Sequence, residues 1–158
     1  MDGNLRPQIY DISKSFNLDP VLVEAIVVVE SGGHPYKVRY EHGYRWLFEP
    51  EVLARNLKIT VDTETILQSC SWGLMQIMGA TARSSGFRED MPLLCNPEKN
   101  LFYGCRHLKS LVNKYPIQSD AIAAYNAGSP KEMANGKYFN QAYVDKVTKQ
   151  MMLIGGKK

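Results

Sequence analysis

An almost uniformly apolar run over residues 21–29 limits the possible folds more than any other feature. Asp19-Pro20 precedes it, and Glu30 closes it before two glycines at 32 and 33. The β-branched residues 27–29 would also suit a strand. Asp as an N-cap, Pro at the first position and glycine after the end favour a helix over 20–30. Because it is apolar nearly all round, this helix must lie in a core.

Helical spacing and cap signals predict that helices dominate the rest of the chain. The predicted segments are approximately 5–16, 50–56, 62–67, 79–86, 97–115, 119–124 with Ser119-Asp120 as its cap, and 138–154. Strand alternation is nearly absent, and only residues 38–69 have room for a small hairpin. We predict a mostly α fold with a single domain spanning 1–158, because 158 residues suffice for one core.

The charge pattern argues against a nucleic-acid partner. The chain has 19 basic and 16 acidic residues, a net charge of +3, and its basic residues are scattered.

No apolar stretch is long enough to span a bilayer. Residues 1–7 lack the basic and apolar regions of a secretory signal. We therefore expect synthesis in the cytoplasm, no stable membrane association and a monomer.

The side chains that bind metals or form disulfides show no recognised spacing. The three cysteines are odd in number and predict folding in a reducing compartment, although one pair could still bridge. They are Cys70, Cys95 and Cys105. The histidines His34, His42 and His107 lack metal-ligand spacing, and no Gly-x-Ser-x-Gly elbow is present. We expect no metal and no cofactor, with histidines that are surface-exposed or hydrogen-bonded.

Glu30 is the candidate catalytic residue. A carboxyl group in a dry environment keeps its proton near neutral pH and can donate it to a leaving group. An acidic residue at a helix C-terminus also opposes the helix dipole, which disfavours a purely structural role. Two downstream segments, 71–77 and 123–128, combine glycine, amide and aromatic residues, a composition typical of a sugar-binding cleft.

Four motifs occur in order along the chain. They are Glu30-Ser31, Gly73-Leu74-Met75-Gln76, Ala124-Tyr125-Asn126-Ala127-Gly128 and Tyr143-Val144-x-x-Val147. Together they resemble the lytic transglycosylase SLT domain and its goose-type lysozyme relatives, over roughly residues 9–147. The resemblance implies a lysozyme-like helical fold and an enzyme that cuts peptidoglycan. The size and the missing signal resemble a bacteriophage member.

The resemblance implies that Glu30 is the single acid/base. It protonates the β-1,4 glycosidic oxygen between N-acetylmuramic acid and N-acetylglucosamine. It then removes the C6 hydroxyl proton, so that a 1,6-anhydromuramic end forms. The substrate's N-acetyl group assists, so a second carboxylate, normal in glycosidases, is not required.

The same resemblance supplies the substrate-binding residues. Amides at Gln76 and Asn126 offer both donors and acceptors to the sugar. Gly73 allows close backbone approach, and Met75, beside Leu74, supplies an apolar wall. Tyr125 is expected beside Glu30, positioning its carboxyl, and Tyr143 is expected to be more structural. Ser31 holds the stem peptide or caps the helix that carries Glu30; these two alternatives stay open.

The segment between the first two motifs is longer than in the simplest family members. Its string 39–46, Arg-Tyr-Glu-His-Gly-Tyr-Arg-Trp, resembles an Arg-Tyr-Glu-Pro segment of phage members, with His42 replacing the proline. Either Tyr44 or Trp46 stacks on a sugar, or both anchor a loop in a satellite core. Glu41 is a candidate second carboxylate, and surface exposure is the expectation for Glu49 and Glu51.

Three functions follow from these residues. The first is a lytic transglycosylase, and the second is a muramidase of the same fold that hydrolyses the bond with water held by Glu41 or another carboxylate. The third is a wall-binding virion protein without catalysis, which the presence of Glu30 and Gln76 disfavours. In each case the expected partner is peptidoglycan in the periplasm, reached during phage lysis or as part of the virion.

Overall fold

The apolar run forms a buried helix, as predicted. The structure, a computed structural model, describes residues 4–156. The helix α2 spans Pro20–Ser31, and the Asp19 side chain accepts a hydrogen bond from the Val21 amide at 2.9 Å. It ends at Gly32, which has a left-handed backbone with φ 66°. Residues 1–3, part of the segment considered for a leader, and 157–158 lie outside the described range.

The fold is mostly α, and every predicted helix is present with shifted ends. In chain order the helices are α1 (Leu5–Ser15), α2, α3 (Pro50–Leu57), α4 (Val61–Gln68), α5 (Gly79–Ser84), α6 (Pro97–Lys114), α7 (Gln118–Ala127) and α8 (Gln141–Gly155). A 3-10 helix, Met91–Cys95, precedes α6 and was not predicted. The predicted cap of α7 is wrong, because Ser119 and Asp120 lie inside the helix and hydrogen-bond the Tyr138 hydroxyl instead.

The helix α2 lies at the centre of the main core, between α1, α6 and α8. Its residues Val23, Ala25, Ile26 and Val27 are fully buried. Its most extensive packing is against α8. This packing brings the C-terminal end of α2, with Glu30, beside the first turn of α8.

A small antiparallel sheet lies beside these helices, in strand order β1-β2-β3. The strands are β1 (Val38–Tyr40), β2 (Cys70–Trp72) and β3 (Ile77–Met78). The hairpin predicted within 38–69 is wrong, because only β1 lies there; the hairpin consists of β2, β3 and the turn 73–76. Strands of two or three residues are too short to show an alternating pattern, so they could not be recognised from the sequence.

A buried ion pair fastens α4 to α5. The Arg83 guanidinium donates to both oxygens of Glu64, at 2.8 and 3.0 Å, and both side chains are completely buried. Gln68 donates to the same carboxylate at 2.9 Å and also pairs with the backbone of Phe48 at 2.8 and 2.9 Å. The network therefore fixes the segment that runs from β1 to α3.

Two further observations concern the cysteines and the hydropathy of the helices. The thiols of Cys70, Cys95 and Cys105, all within the described range, are unbridged. Over residues 4–156, none of the helices combines the length and the apolarity needed to cross a membrane.

Replacing the buried guanidinium should destabilise the fold strongly. Arg83→Met leaves the Glu64 carboxylate buried without its charged partner, and we expect the free energy of unfolding to fall by about 3–5 kcal/mol. Urea denaturation measures this difference. The matched control is Lys99→Met, which breaks the exposed Lys99–Glu89 pair and should change stability little, because water screens exposed charges. Equal losses in both variants would contradict this interpretation.

Candidate active site

A cleft of about 530 Å³ runs past the end of α2. Its walls come from β1 and the segment after it, from β3 and α5, and from α6 and α7. Among the predicted site residues, Glu30, Glu41, Gln76, Tyr125 and Asn126 line it. The structure thus brings together residues that are almost a hundred positions apart in the chain.

The Glu30 carboxyl is held by hydrogen bonding across the α2–α8 contact. Tyr143, in the first turn of α8, donates its hydroxyl to Glu30 Oε1 at 2.7 Å. The backbone oxygen of Glu30 accepts from Lys37 Nζ. The side chain of Glu30 is therefore tied to α8, and its backbone is tied to the segment just before β1.

Burial raises the pKa of Glu30 above its usual value. The hydrogen bond from Tyr143 and the positive charges of Arg39 and Lys37 oppose this rise, whereas the negative charge of Glu41 adds to it. Desolvation is the largest of these effects, so the net shift favours the protonated acid. A group that keeps its proton longer than an ordinary glutamic acid suits general acid chemistry.

Both tyrosines lie near Glu30, but the one that hydrogen-bonds its carboxyl is not the one that the sequence predicted. Tyr125 was expected to hold the Glu30 carboxyl, but its hydroxyl donates to the Met75 carbonyl at 2.8 Å. Tyr143, expected to be more structural, holds the carboxyl instead. The sequence cannot show this difference, because it depends on how α7 and α8 are oriented around α2. Both phenols have pKa values raised mainly by burial and then by the Glu30 charge, so they remain neutral donors.

Gly73, Leu74 and Met75 do not line the cleft, contrary to the predicted binding role. Leu74 and Met75 are completely buried in the main core. Gly73 has φ 69°, and a Cβ there would lie 2.3 Å from the Asn100 side chain. The space that was assigned to an approaching sugar is occupied by Asn100. The glycine is therefore required for packing inside the protein.

Asn100 is a residue that the motif search missed. Completely buried on α6, it accepts from the Met75 amide and donates to the carbonyls of Trp72 and Leu94, each at 2.8 Å. A Cβ on Gly104 would lie 2.4 Å from the Met75 sulfur, so this glycine allows α6 to approach the turn. The sequence signal that could have identified Asn100 is its position as a polar residue on the apolar face of α6.

Gln76 reaches the cleft, but its amide is committed to the protein. Nε2 donates to the carbonyls of Lys37 and Gly73, both at 2.9 Å, and Oε1 accepts from the Ser71 hydroxyl at 3.1 Å. The residue has a left-handed backbone, φ 47°. These bonds join β1 to the turn 73–76, so the side chain positions the cleft wall. Contact with substrate would require at least one of them to change.

Ser31 is buried and closes the end of α2. Its hydroxyl donates to the Val27 carbonyl at 3.0 Å and accepts from the Gly33 amide at 3.1 Å. Of the two alternatives for this residue, the structure has the helix-capping one. The hydroxyl therefore stabilises the left-handed turn directly after Glu30.

Asn126 is exposed in the cleft and oriented by a neighbour. Its Oδ1 accepts from Asn140 Nδ2 at 3.0 Å, and the same nitrogen donates to the Ala123 carbonyl at 3.0 Å. The NH₂ group of Asn126 is therefore the part left for the cleft. Asn140 lies just before α8 and carries no motif, so the sequence did not indicate it.

Glu41 lines the cleft just after β1 and is paired with Arg39. Arg39 Nε donates to Glu41 Oε1 at 2.6 Å, and the Ser71 hydroxyl lies 3.5 Å from the same oxygen. Both charged residues line the cleft. The geometry thus puts a second carboxylate close enough to act on the pKa of Glu30. Glu49 and Glu51 are not part of this lining.

Two aromatic rings form the outer wall. Tyr44 and Trp46 pack edge to face, 5.5 Å between centroids, and both line the cleft. Trp46 is 68% exposed and is therefore not an anchor in a satellite core. The backbone of Phe48, two residues later, is held by the Gln68–Glu64–Arg83 network described above. His107, on α6, also lines the cleft, whereas the sequence predicted only that the histidines are surface-exposed or hydrogen-bonded.

Comparison with known proteins assigns the family. The family model for the transglycosylase SLT domain matches residues 8–147, and the chain belongs to this family. A relative named Transglycosylase, from Enterobacteria phage PRD1, is 28% identical over 144 residues, which cover 91% of this chain and 42% of that protein. The chain therefore spans less than half the length of this relative. No solved structure matches this chain significantly.

Over the described residues, no group of three or more His, Cys, Asp or Glu side chains is arranged to hold a metal ion.

Removal of the Tyr143 hydroxyl should raise the pKa of Glu30. The hydrogen bond stabilises the charged carboxylate, so Tyr143→Phe disfavours deprotonation and the carboxyl titrates at higher pH. NMR titration of the carboxyl carbon in labelled protein measures this shift directly. Tyr125→Phe is the control, because that hydroxyl donates to Met75 and not to Glu30. A lower or unchanged pKa in Tyr143→Phe would show that the bond does not act on Glu30.

Proposed function

We propose that this protein is a peptidoglycan lytic transglycosylase. It cleaves the β-1,4 bond between N-acetylmuramic acid and N-acetylglucosamine and leaves a 1,6-anhydromuramic end. The observation that carries the proposal is the Glu30 carboxyl in the cleft, partly buried, with a raised pKa and a hydrogen bond from Tyr143. Membership of the SLT-domain family supports the substrate class.

In the first step, protonated Glu30 donates its proton to the glycosidic oxygen as the C1–O bond breaks. The Tyr143 hydrogen bond stabilises the carboxylate that results, and burial limits water near it. The N-acetyl group of the substrate assists at C1, so the step needs no carboxylate nucleophile. The glycan leaves with the proton that Glu30 carried.

In the second step, the same carboxylate acts as the base. It removes the proton of the C6 hydroxyl, and that oxygen attacks C1 to close the anhydro ring. Glu30 regains its proton, so the enzyme returns to its starting state and no water is consumed. One carboxyl serves both steps because each proton transfer leaves it ready for the other.

The cleft walls suit a neutral, N-acetylated glycan. Trp46 is largely exposed at the cleft and offers an aromatic surface to a sugar, and the NH₂ group of Asn126 offers a donor. We infer that the substrate is the periplasmic cell wall, met during phage lysis or by a virion component. The phage origin of the relative supports this setting.

A second candidate reaction is hydrolysis of the same bond by water. The observation that favours it is Glu41, a second carboxylate that lines the cleft and acts on the pKa of Glu30. Arg39 holds this carboxylate, which leaves Oε2 as the oxygen that would have to orient water. A wall-binding protein without catalysis is the third candidate, and a proton donor with a raised pKa is not needed for that role.

Mass spectrometry of muropeptides released from purified peptidoglycan tests the reaction. We expect products lighter by one water than hydrolytic ones, because the C6 hydroxyl replaces water as the nucleophile. Glu30→Gln should reduce their release by about a thousandfold, within the usual contribution of general acid–base catalysis. The exposed Glu51→Gln serves as the matched control and should behave as wild type. Undiminished cleavage by Glu30→Gln would refute its role.

The Glu41→Gln variant separates the two reactions. A transglycosylase should keep its anhydro products and most of its rate, because Glu41 takes no proton in either step. A hydrolase that needs Glu41 to orient water should lose about a hundredfold or more. The same digests report both the rate and the product mass. Hydrated, reducing ends from the wild-type protein would decide for hydrolysis.

A further inference from the structure

His107 is a cleft residue that the proposed chemistry does not use. It lies on α6 and lines the cleft together with Tyr125 and Asn126 of α7. Its ring packs against the Tyr125 ring with 5.5 Å between centroids and 46° between planes. The imidazole thus packs against Tyr125 and borders the cleft.

The ring nitrogens of His107 have no hydrogen-bond partner among residues 4–156. Apart from the backbone hydrogen bonds of α6, the residue makes one hydrogen bond there, through its backbone oxygen, which accepts from the Ser110 hydroxyl at 2.7 Å. Neither ring nitrogen is fully enclosed by the protein, so both are accessible to solvent. Polar groups in partly buried positions usually find partners, and the open cleft is where this imidazole would find one.

Burial lowers the pKa of His107. The imidazole is therefore neutral at neutral pH, with one nitrogen as a donor and the other as an acceptor. Such a group matches an uncharged ligand that has both donors and acceptors. The acetamido and hydroxyl groups of amino sugars have this character, whereas an anionic ligand would favour a charged histidine.

We propose that His107 binds the glycan by hydrogen-bonding an acetamido or hydroxyl group of an N-acetylated amino sugar. The inference rests on the proposed function, and it assigns a specificity contact on the α6–α7 wall. Asn126 supports it, because Asn140 occupies its oxygen and leaves its NH₂ group for the same cleft. Asn126 offers a hydrogen-bond donor to the sugar, and His107 offers both a donor and an acceptor.

Two substitutions separate glycan binding from simple packing. His107→Phe keeps a ring against Tyr125 but removes both nitrogens, and His107→Gln keeps a donor and an acceptor but removes the ring. In a Glu30→Gln background, NMR titration with chitotetraose measures binding without turnover. We expect His107→Phe to weaken binding by about fivefold, the value of one net hydrogen bond, and His107→Gln to stay within about twofold.

A packing role predicts the opposite order, with His107→Phe close to the parent and His107→Gln weakened. Unchanged binding in His107→Phe, or equal loss in both variants, would overturn the proposal. If His107→Gln does not fold, as judged by thermal unfolding, His107→Asn takes its place in the comparison. Arg106→Gln, at the exposed neighbouring position on α6, is the matched control and should bind like the parent.

The design keeps this inference distinct from the proposed function. Steady-state cleavage by the wild-type protein tests the enzyme, and the chitotetraose titration tests the contact. In the active background, His107→Phe should raise KM about fivefold while kcat changes little, because His107 contacts a sugar and not the proton in transfer. A wild-type protein that binds chitotetraose but leaves peptidoglycan intact would refute the enzyme and leave the His107 result standing. A fall in kcat with unchanged KM would overturn the binding role.

Discussion

The burial of α2 is the constraint on which the site depends. A helix that is apolar nearly all round has to be enclosed, and α1, α6 and α8 enclose it. Its last turn therefore carries Glu30 into a setting where water is scarce, and the carboxyl pKa rises. The helix that covers α2 most extensively also delivers Tyr143 to that carboxyl. Core packing and acid chemistry thus have one physical origin.

The Gly73–Gln76 motif acts from behind the cleft surface. Gly73 and Gly104 lack the Cβ atoms that would collide with Asn100 and Met75, so the turn can dock on α6. Gln76 then connects the turn to the residue just before β1 through the Lys37 carbonyl, and its second bond, to the Gly73 carbonyl, closes the turn. The motif consequently fixes the position of β1, and of the charged Arg39 that β1 carries, relative to Glu30. Because this role is exercised inside the protein, the side chains of the motif are mostly buried.

The outer wall, formed by Tyr44 and Trp46, depends on an ion pair outside the cleft lining. The Glu64–Arg83 pair and Gln68 hold the Phe48 backbone, and the chain just before it presents Tyr44 and Trp46 to the cleft. Desolvated charges of this kind are costly unless they are paired, so their pairing locks one arrangement of the segment. The longer segment between the first two motifs is in this way a structured wall.

The sequence by itself determined the helical fold, the central position of α2, its caps and the identity of Glu30 as the candidate acid. These features are local: apolar periodicity and cap residues act within a few positions. Only the tertiary structure decided which tyrosine meets Glu30, that Leu74 and Met75 face the core, and that Asn140 orients Asn126. It also decided that β1 pairs with β2 instead of forming a hairpin within 38–69. Such outcomes depend on the relative orientation of distant elements, and side-chain packing across the whole core sets that orientation.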